Sequence, residues 1–186
     1  MMVVLPGRAL TLEDVAQLAA ADELHRYELD EGNLLIMAPA DAEHAALVTR
    51  LIVWLVNGGY AADRVLAAPG VKIREQSSGR GPDIVLLRRP VPGNTVWIDP
   101  DAIELVVEVV SDSSKKLDRL IKPGEYARVG IPHFWRVERE GRPPTVHTYT
   151  LGTGEQGEAA YLGHRAVLLD ELLSTQPPEF GGNRSR

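Results

Sequence analysis

The octapeptide IELVVEVV, residues 103–110, is almost wholly apolar and rich in β-branched side chains, the composition of a strand covered on both faces. Glu108 stands in the middle of it. An isolated ionised carboxylate in an apolar sheet is strongly disfavoured, so it is neutralised, paired or bound to a metal. Side chains alternate along a strand, which puts Glu104, Val106, Glu108 and Val110 on one face. Glu104 lies at the strand's beginning, where solvent is expected to reach it; Glu108 is too central for that. The preceding strand offers Asp83 in GPDIVLL. It follows Pro82, which is tolerated at a strand's first residue, so Asp83 is expected near an end of the sheet. If the strands are neighbours, the two acids converge. They then share a proton or pair with a base, or they hold a hard cation. Magnesium asks for no more than one or two carboxylates plus water and substrate phosphates.

Around these strands the sequence predicts an α/β (α+β) domain, a mixed central sheet flanked by helices. Thr11 with Asp14 resembles a capping box before the helix formers LEDVAQLAAADEL. RYELDEGNLLIMAP reads as a hairpin turning at residues 30–33. Asp41 is a candidate N-cap for a second helix, whose Leu47, Val48, Leu51, Ile52, Leu55 and Val56 recur at helical spacing until Gly58–Gly59 stop it. VLAAPGVKIRE is strand-like but broken by Pro69–Gly70, and RPVPGNTVWIDPDA reads as a connection. SSKKLDRLIKPGEYARVG looks helical in two segments, with Pro123 starting the second. HFWRVERE and PTVHTYTL form a second hairpin around GRPP, and HRAVLLDELL ends the ordered part. Residues 1–175 are expected to form one domain, with 176–186 a mobile tail.

Composition excludes several classes. There is no cysteine, so disulfide frameworks and thiolate metal sites are out. No His-x-x-x-His or similar spacing suggests zinc. The amino terminus is too short and too interrupted for a signal peptide or membrane span, so a soluble, cytoplasmic protein without membrane contact is expected. The net charge of −6 argues against a general nucleic-acid coat. The charge is uneven, however: residues 64–139 carry 13 basic and 10 acidic side chains, and both flanks are acidic. That is weak support for a local anionic ligand, and a solvated mixed surface explains it equally well.

GPDIVLL, then LVVEVVS, then KPGEYARVGIPHFWRVE, preceded by RYELDEGNLLIMAPADAEHAALVTRL, resembles the Uma-two family of bacterial endonucleases, within the PD-(D/E)XK restriction-endonuclease-like superfamily. The likeness spans roughly residues 12–137. It implies a metal-dependent endonuclease that hydrolyses phosphodiester bonds of nucleic acid, DNA above all, with Mg2+ or Mn2+ and a homodimeric assembly. Exposed apolar surface on the second helix or on the strand at 134–137 would supply the dimer contact. By resemblance Asp83 and Glu108 are the metal-holding acids. The simplest superfamily pattern has a lysine two positions after the second acid, where this chain has Val110. Lys122, from the following helix, occupies the family's replacement position, while Lys115 and Lys116 are expected to be exposed. Glu28 matches a further acidic position, although a surface acid paired with Arg26 reads almost as well. His44 matches a family histidine near the second helix's start, where local exposure is the plainer reading. Tyr126, on the lysine's helix, is a candidate to hydrogen-bond near the site, with core packing the better expectation. The residues of GIPHFW are expected to build an edge strand, and His147 and His164 have no evident partner.

The alternatives are a non-catalytic binding or assembly module on a nuclease-like fold, which Val110 and the Pro123–Gly124 break favour, and a small-molecule phosphoesterase.

Overall fold

The computed structural model describes residues 7–22 and 25–180. Eleven strands form two sheets among those residues. The larger holds β3 (Val65–Ala67), β6 (Ile84–Leu87), β8 (Ile103–Val109), β9 (His133–Glu138), β10 (Thr145–Thr153) and β11 (Ala159–Leu168), in the order β11-β10-β9-β8-β6-β3. It is mixed: β8 and β9 run parallel and the other pairs antiparallel. The smaller holds β1 (Arg26–Asp30), β2 (Asn33–Met37), β4 (Gly70–Arg74), β5 (Ser78–Arg80) and β7 (Trp97–Ile98).

Helix α2 (Ala42–Asn57) covers one face of the large sheet. Its Leu47, Leu51, Trp54 and Leu55 meet Ile84, Leu86, Leu105, Val107, Val109, Trp135 and Val137 in the main core. Helix α3 (Lys122–Arg128) covers the other face, packing Tyr126 with Val85, Val106, Ile131 and Phe134. The alternation of β8 therefore feeds two cores, as its valines require, and places Glu108 under α3. Asp41 caps α2: its side chain accepts from the His44 backbone N–H at 2.8 Å, and both its oxygens accept from Arg139 NH1. Losing the cap in Asp41→Ala is expected to lower Tm by about 2–4 °C, read by calorimetry.

Helix α1 (Leu12–Ala21) has the full capping box of Thr11 and Asp14. The β1–β2 hairpin turns through Glu31 and Gly32, both at positive φ, as a two-residue turn of that hand requires. A Cβ on Gly32 would lie 2.7 Å from Ala9 Cβ, so packing as well as conformation selects glycine there.

Several expectations change. Pro69 separates β3 and β4 so completely that they join different sheets. The stretch 89–102 is more than a connection, because it carries β7, and Trp97 Nε1 donates to the Leu12 carbonyl. β9 is interior, between β8 and β10, with Phe134, Trp135 and Val137 buried, so it offers no apolar surface for a dimer. Glu104 is buried, bound by Arg88 Nε at 2.9 Å with His133 Nε2 at 3.7 Å. β11 continues the second hairpin into a third long strand. Residues 176–180 are held: Tyr60 joins Pro178 O and the Phe180 N–H, and Phe180 enters the main core. The rest of the expected tail, 181–186, lies outside the described residues.

Candidate active site

Asp83 and Glu108 meet because β6 and β8 are antiparallel neighbours. Ile84 pairs with Val107, and the Asp83 N–H donates to the Val107 carbonyl, so residues 83 and 108 are the next pair on one face. Their side chains line one cavity of about 250 Å³ with His44, Asp118, Lys122 and Arg26. The segments 37–41 and 111–114, with Gly81, Val109 and Arg139, supply its remaining walls.

Lys122 is brought in by an irregularity. Residues Leu117–Ile121 form a π-helical turn that runs into α3, with Pro123 in the first turn of the α-helix. A proline is accepted there because its missing N–H would be unpaired anyway, and π turns are over-represented at functional sites. The Lys122 ammonium lies 3.0 Å from Glu108 Oε1, 3.1 Å from Glu28 Oε1 and 3.1 Å from Asp118 Oδ1. None of these four residues is more than 2% exposed. Burial alone would lower the lysine's pKa; the pull of Glu108, Glu28 and Asp118 outweighs it and holds Lys122 above its ordinary value. Lys122 is held here as an ammonium by three carboxylates.

Glu108 has the opposite problem. Burial pushes its carboxyl well above the ordinary glutamate value, and Lys122 only partly opposes this because Asp118, Asp83 and Glu28 repel it too. The Tyr126 hydroxyl donates to Glu108 Oε1 at 2.7 Å, so Tyr126 packs in the core and also orients the acid. Asp118 is likewise raised, first by burial. Its Oδ1 is ion-paired with Lys122 but out of line for a hydrogen bond. Asp83 differs. Burial would raise it, yet a hydrogen bond from His44 and its charge, the Val109 N–H at 2.8 Å and Arg26 hold it below the ordinary aspartate range. His44 Nε2 sits 3.1 Å from Asp83 Oδ2 and Arg26 3.4 Å from Oδ1. His44 is thus buried, not exposed.

Glu28 is neither a surface acid nor part of the cavity lining. It stands behind Lys122, accepting from the Gly81 N–H at 3.0 Å. Beyond it lies Arg80, wholly buried, with two hydrogen bonds of 2.7 Å to Glu125 on α3 and one of 2.9 Å to Asp30. Arg80 NH1 and Glu28 Oε2 face each other at 3.6 Å with no hydrogen bond to either. Lys115 pairs with Asp112 and Glu140, away from the cluster. His147 and His164, without evident partners in the sequence, hydrogen-bond to each other at 2.8 Å.

The sequence reading missed Asp118, Arg80 and Glu125. Asp118 had a local signal, since an aspartate four residues before a lysine on a helix is a favourable pair. Arg80 had none, because its three partners come from β1 and α3.

Among the described residues no three carboxylate, imidazole or thiol groups gather around one point in a metal-holding cluster. The donor set still fits a hard divalent ion. Glu28, Glu108 and Asp118 crowd around one buried ammonium, with Asp83 paired in register beside Glu108, and burial together with the repulsion among these acids keeps Glu108 and Asp118 raised. Asp83 and Glu108 supply oxygen donors to an open cavity, which suffices for an ion that keeps most of its water.

Comparison with known proteins bears on this arrangement. The model of the Uma2 family, described as "Putative restriction endonuclease", matches residues 12–176. Among solved structures, a "putative nuclease belonging to DUF820 from Anabaena variabilis ATCC 29413" superposes with a TM-score of 0.54 at 14% sequence identity, over 73% of this chain and 75% of that one. No curated protein gives a significant sequence match. At that identity the solved structure speaks for the fold alone. No helix among the described residues is long and apolar enough to cross a membrane.

Proposed function

Because the chain belongs to the Uma2 family of restriction-endonuclease-like proteins, we propose that its buried acid–lysine cluster hydrolyses phosphodiester bonds of nucleic acid with a divalent metal ion, Mg2+ or Mn2+, held by Asp83 and Glu108. The observation that supports it best is the ammonium of Lys122 locked beside Glu108 at the floor of an open cavity that Asp83 also lines. A divalent ion bound there lowers the pKa of a coordinated water and neutralises charge developing on a phosphoryl oxygen.

The chain's own groups account for the rest. His44 and the Val109 N–H fix the carboxylate plane of Asp83. Tyr126 and Lys122 both take Glu108 Oε1, leaving Oε2 as the oxygen free to turn toward the cavity. Glu28 and Asp118 hold Lys122 charged and immobile, so its positive charge is preorganised for the transition state rather than recruited to it. At the cavity's mouth the partly exposed Arg26 can meet a substrate phosphate.

Purified protein is expected to cut nucleic acid only with Mg2+ or Mn2+, and Asp83→Asn and Glu108→Gln each to lose at least ~100-fold in rate while remaining folded. Glu108→Gln without metal should be at least as stable as wild type, because a strained buried charge is gone. Wild-type rates in both variants would reject the proposal.

A further inference from the structure

A second cavity, of about 240 Å³, lies beside α3. Its aromatic side is formed by Phe134, Tyr149 and Tyr161: the Phe134 ring centroid is 5.8 Å from that of Tyr149 and 5.4 Å from that of Tyr161. Arg119 and Arg136 stand on its rim, and the Arg136 guanidinium is 5.9 Å from the Tyr149 ring centre. From α3 the wall is Pro123, Gly124 and Ala127, and a Cβ built on Gly124 would meet no atom within 4 Å.

This cavity adjoins the acid–lysine cluster in two ways. Lys122 lines the first cavity, while the next two residues, Pro123 and Gly124, line the second. Glu108 and Arg136 are register partners on the parallel strands β8 and β9, so they are neighbours on one sheet face. The aromatic, arginine-lined slot thus borders the cluster along the first turn of α3 and the β8–β9 pair.

We infer that this slot is a subsite for an unpaired nucleobase of the strand being cut, which makes single-stranded or locally unpaired nucleic acid the preferred substrate; the identity of the ligand rests on the nuclease function proposed above. Any base offers a π-face to tyrosine and to a guanidinium, so the slot needs no particular sequence. A base in a duplex is stacked and paired and must be extruded first, at a cost of a few kcal/mol. The acidic chain makes the subsite more important. With a net charge of −6, and with Arg119 and Arg136 each already paired to Glu138, the chain cannot rely on a broad basic surface to hold phosphates.

The test uses fluorescence anisotropy without divalent metal on three 12-nucleotide DNA probes: an intact single strand, the same strand made abasic, and a duplex. Wild type is expected to bind the intact strand about tenfold tighter than the abasic strand. Gly124→Leu fills the slot and improves helix propensity, so Tm should not fall; it is expected to lose that tenfold preference and leave abasic binding unchanged. Tyr149→Ala, which removes part of the platform without filling it, should weaken intact-strand binding as well. Cleavage of the intact strand in Mg2+ should show a raised KM in both variants with kcat retained. Wild-type affinity for the intact strand in both variants, or equal wild-type affinity for intact and abasic strands, would overturn the subsite. If duplex and abasic strands are cut in Mg2+ as well as the intact one, the subsite falls and the nuclease function stands. If no probe is bound or cut, both fall.

Discussion

A Lys122→Met protein is expected to lose about 3–5 kcal/mol of folding stability at pH 7 and cleavage activity by about 10²–10³-fold. The side chain's volume survives the change, so the loss is electrostatic. Glu28, Glu108 and Asp118 each lie within 3.1 Å of the ammonium, and without it three buried carboxylates face one another. Lys122 is raised above the ordinary lysine value of 10.5 by those acids, so its contribution is complete at neutral pH and is lost only as pH rises through its higher folded value. Glu108 acts in the other sense. Its folded pKa lies above the unfolded value of 4.5, so the folded state binds the extra proton, and stability falls as pH rises from 4.5 through the folded value. Removing Lys122 raises Glu108 further. The variant should therefore regain part of its lost stability on acidification from pH 7 toward 5, and wild type less. Urea denaturation at pH 5 and 7 in chelator measures this; an equal loss at both values would show that packing, not charge, holds the cluster.

Arg80→Met is expected to be nearly as damaging, at about 3–5 kcal/mol, although Arg80 is absent from the cavity lining. Its guanidinium joins β5 to Glu125 on α3 and to Asp30 on β1, and stands 3.6 Å from Glu28. Removing it strands the largely buried Glu125, leaves Glu28 to Lys122 and the Gly81 N–H, and frees the helix that carries Lys122. Arg80→Lys should recover little, because a lysine cannot make the paired bonds to Glu125. The surviving folded fraction of Arg80→Lys should show lowered kcat with KM near wild type, the mark of a residue that positions Lys122 without touching substrate. A variant whose KM rises while kcat holds would place Arg80 in substrate binding instead.

The parts legible in the sequence were those whose physics is local or periodic. Helix α2 follows from its apolar spacing, the first hairpin from its turn, and the convergence of Asp83 and Glu108 from a proline-marked strand beside a valine-rich one. What escaped depended on partners distant along the chain. Glu104 looked solvated at a strand's start, but Arg88 and His133 cover it. The strand from His133 to Glu138 looked like an edge because its hairpin with β10 is local, whereas its parallel pairing with β8, across α3, has no local signal. His44 had the profile of a first-turn surface histidine, and only the end of β6 gives it Asp83. Arg80 illustrates the general point: a buried arginine is intelligible only once its three carboxylates are in place.

The most direct measurement is a crystal structure with Mn2+ at saturating concentration, read by anomalous diffraction. One strong peak is expected within about 2.2 Å of oxygens of both Asp83 and Glu108, with the Lys122 ammonium still beside Glu108. A cavity without that peak, or manganese bound away from these two acids, would contradict the proposed metal site.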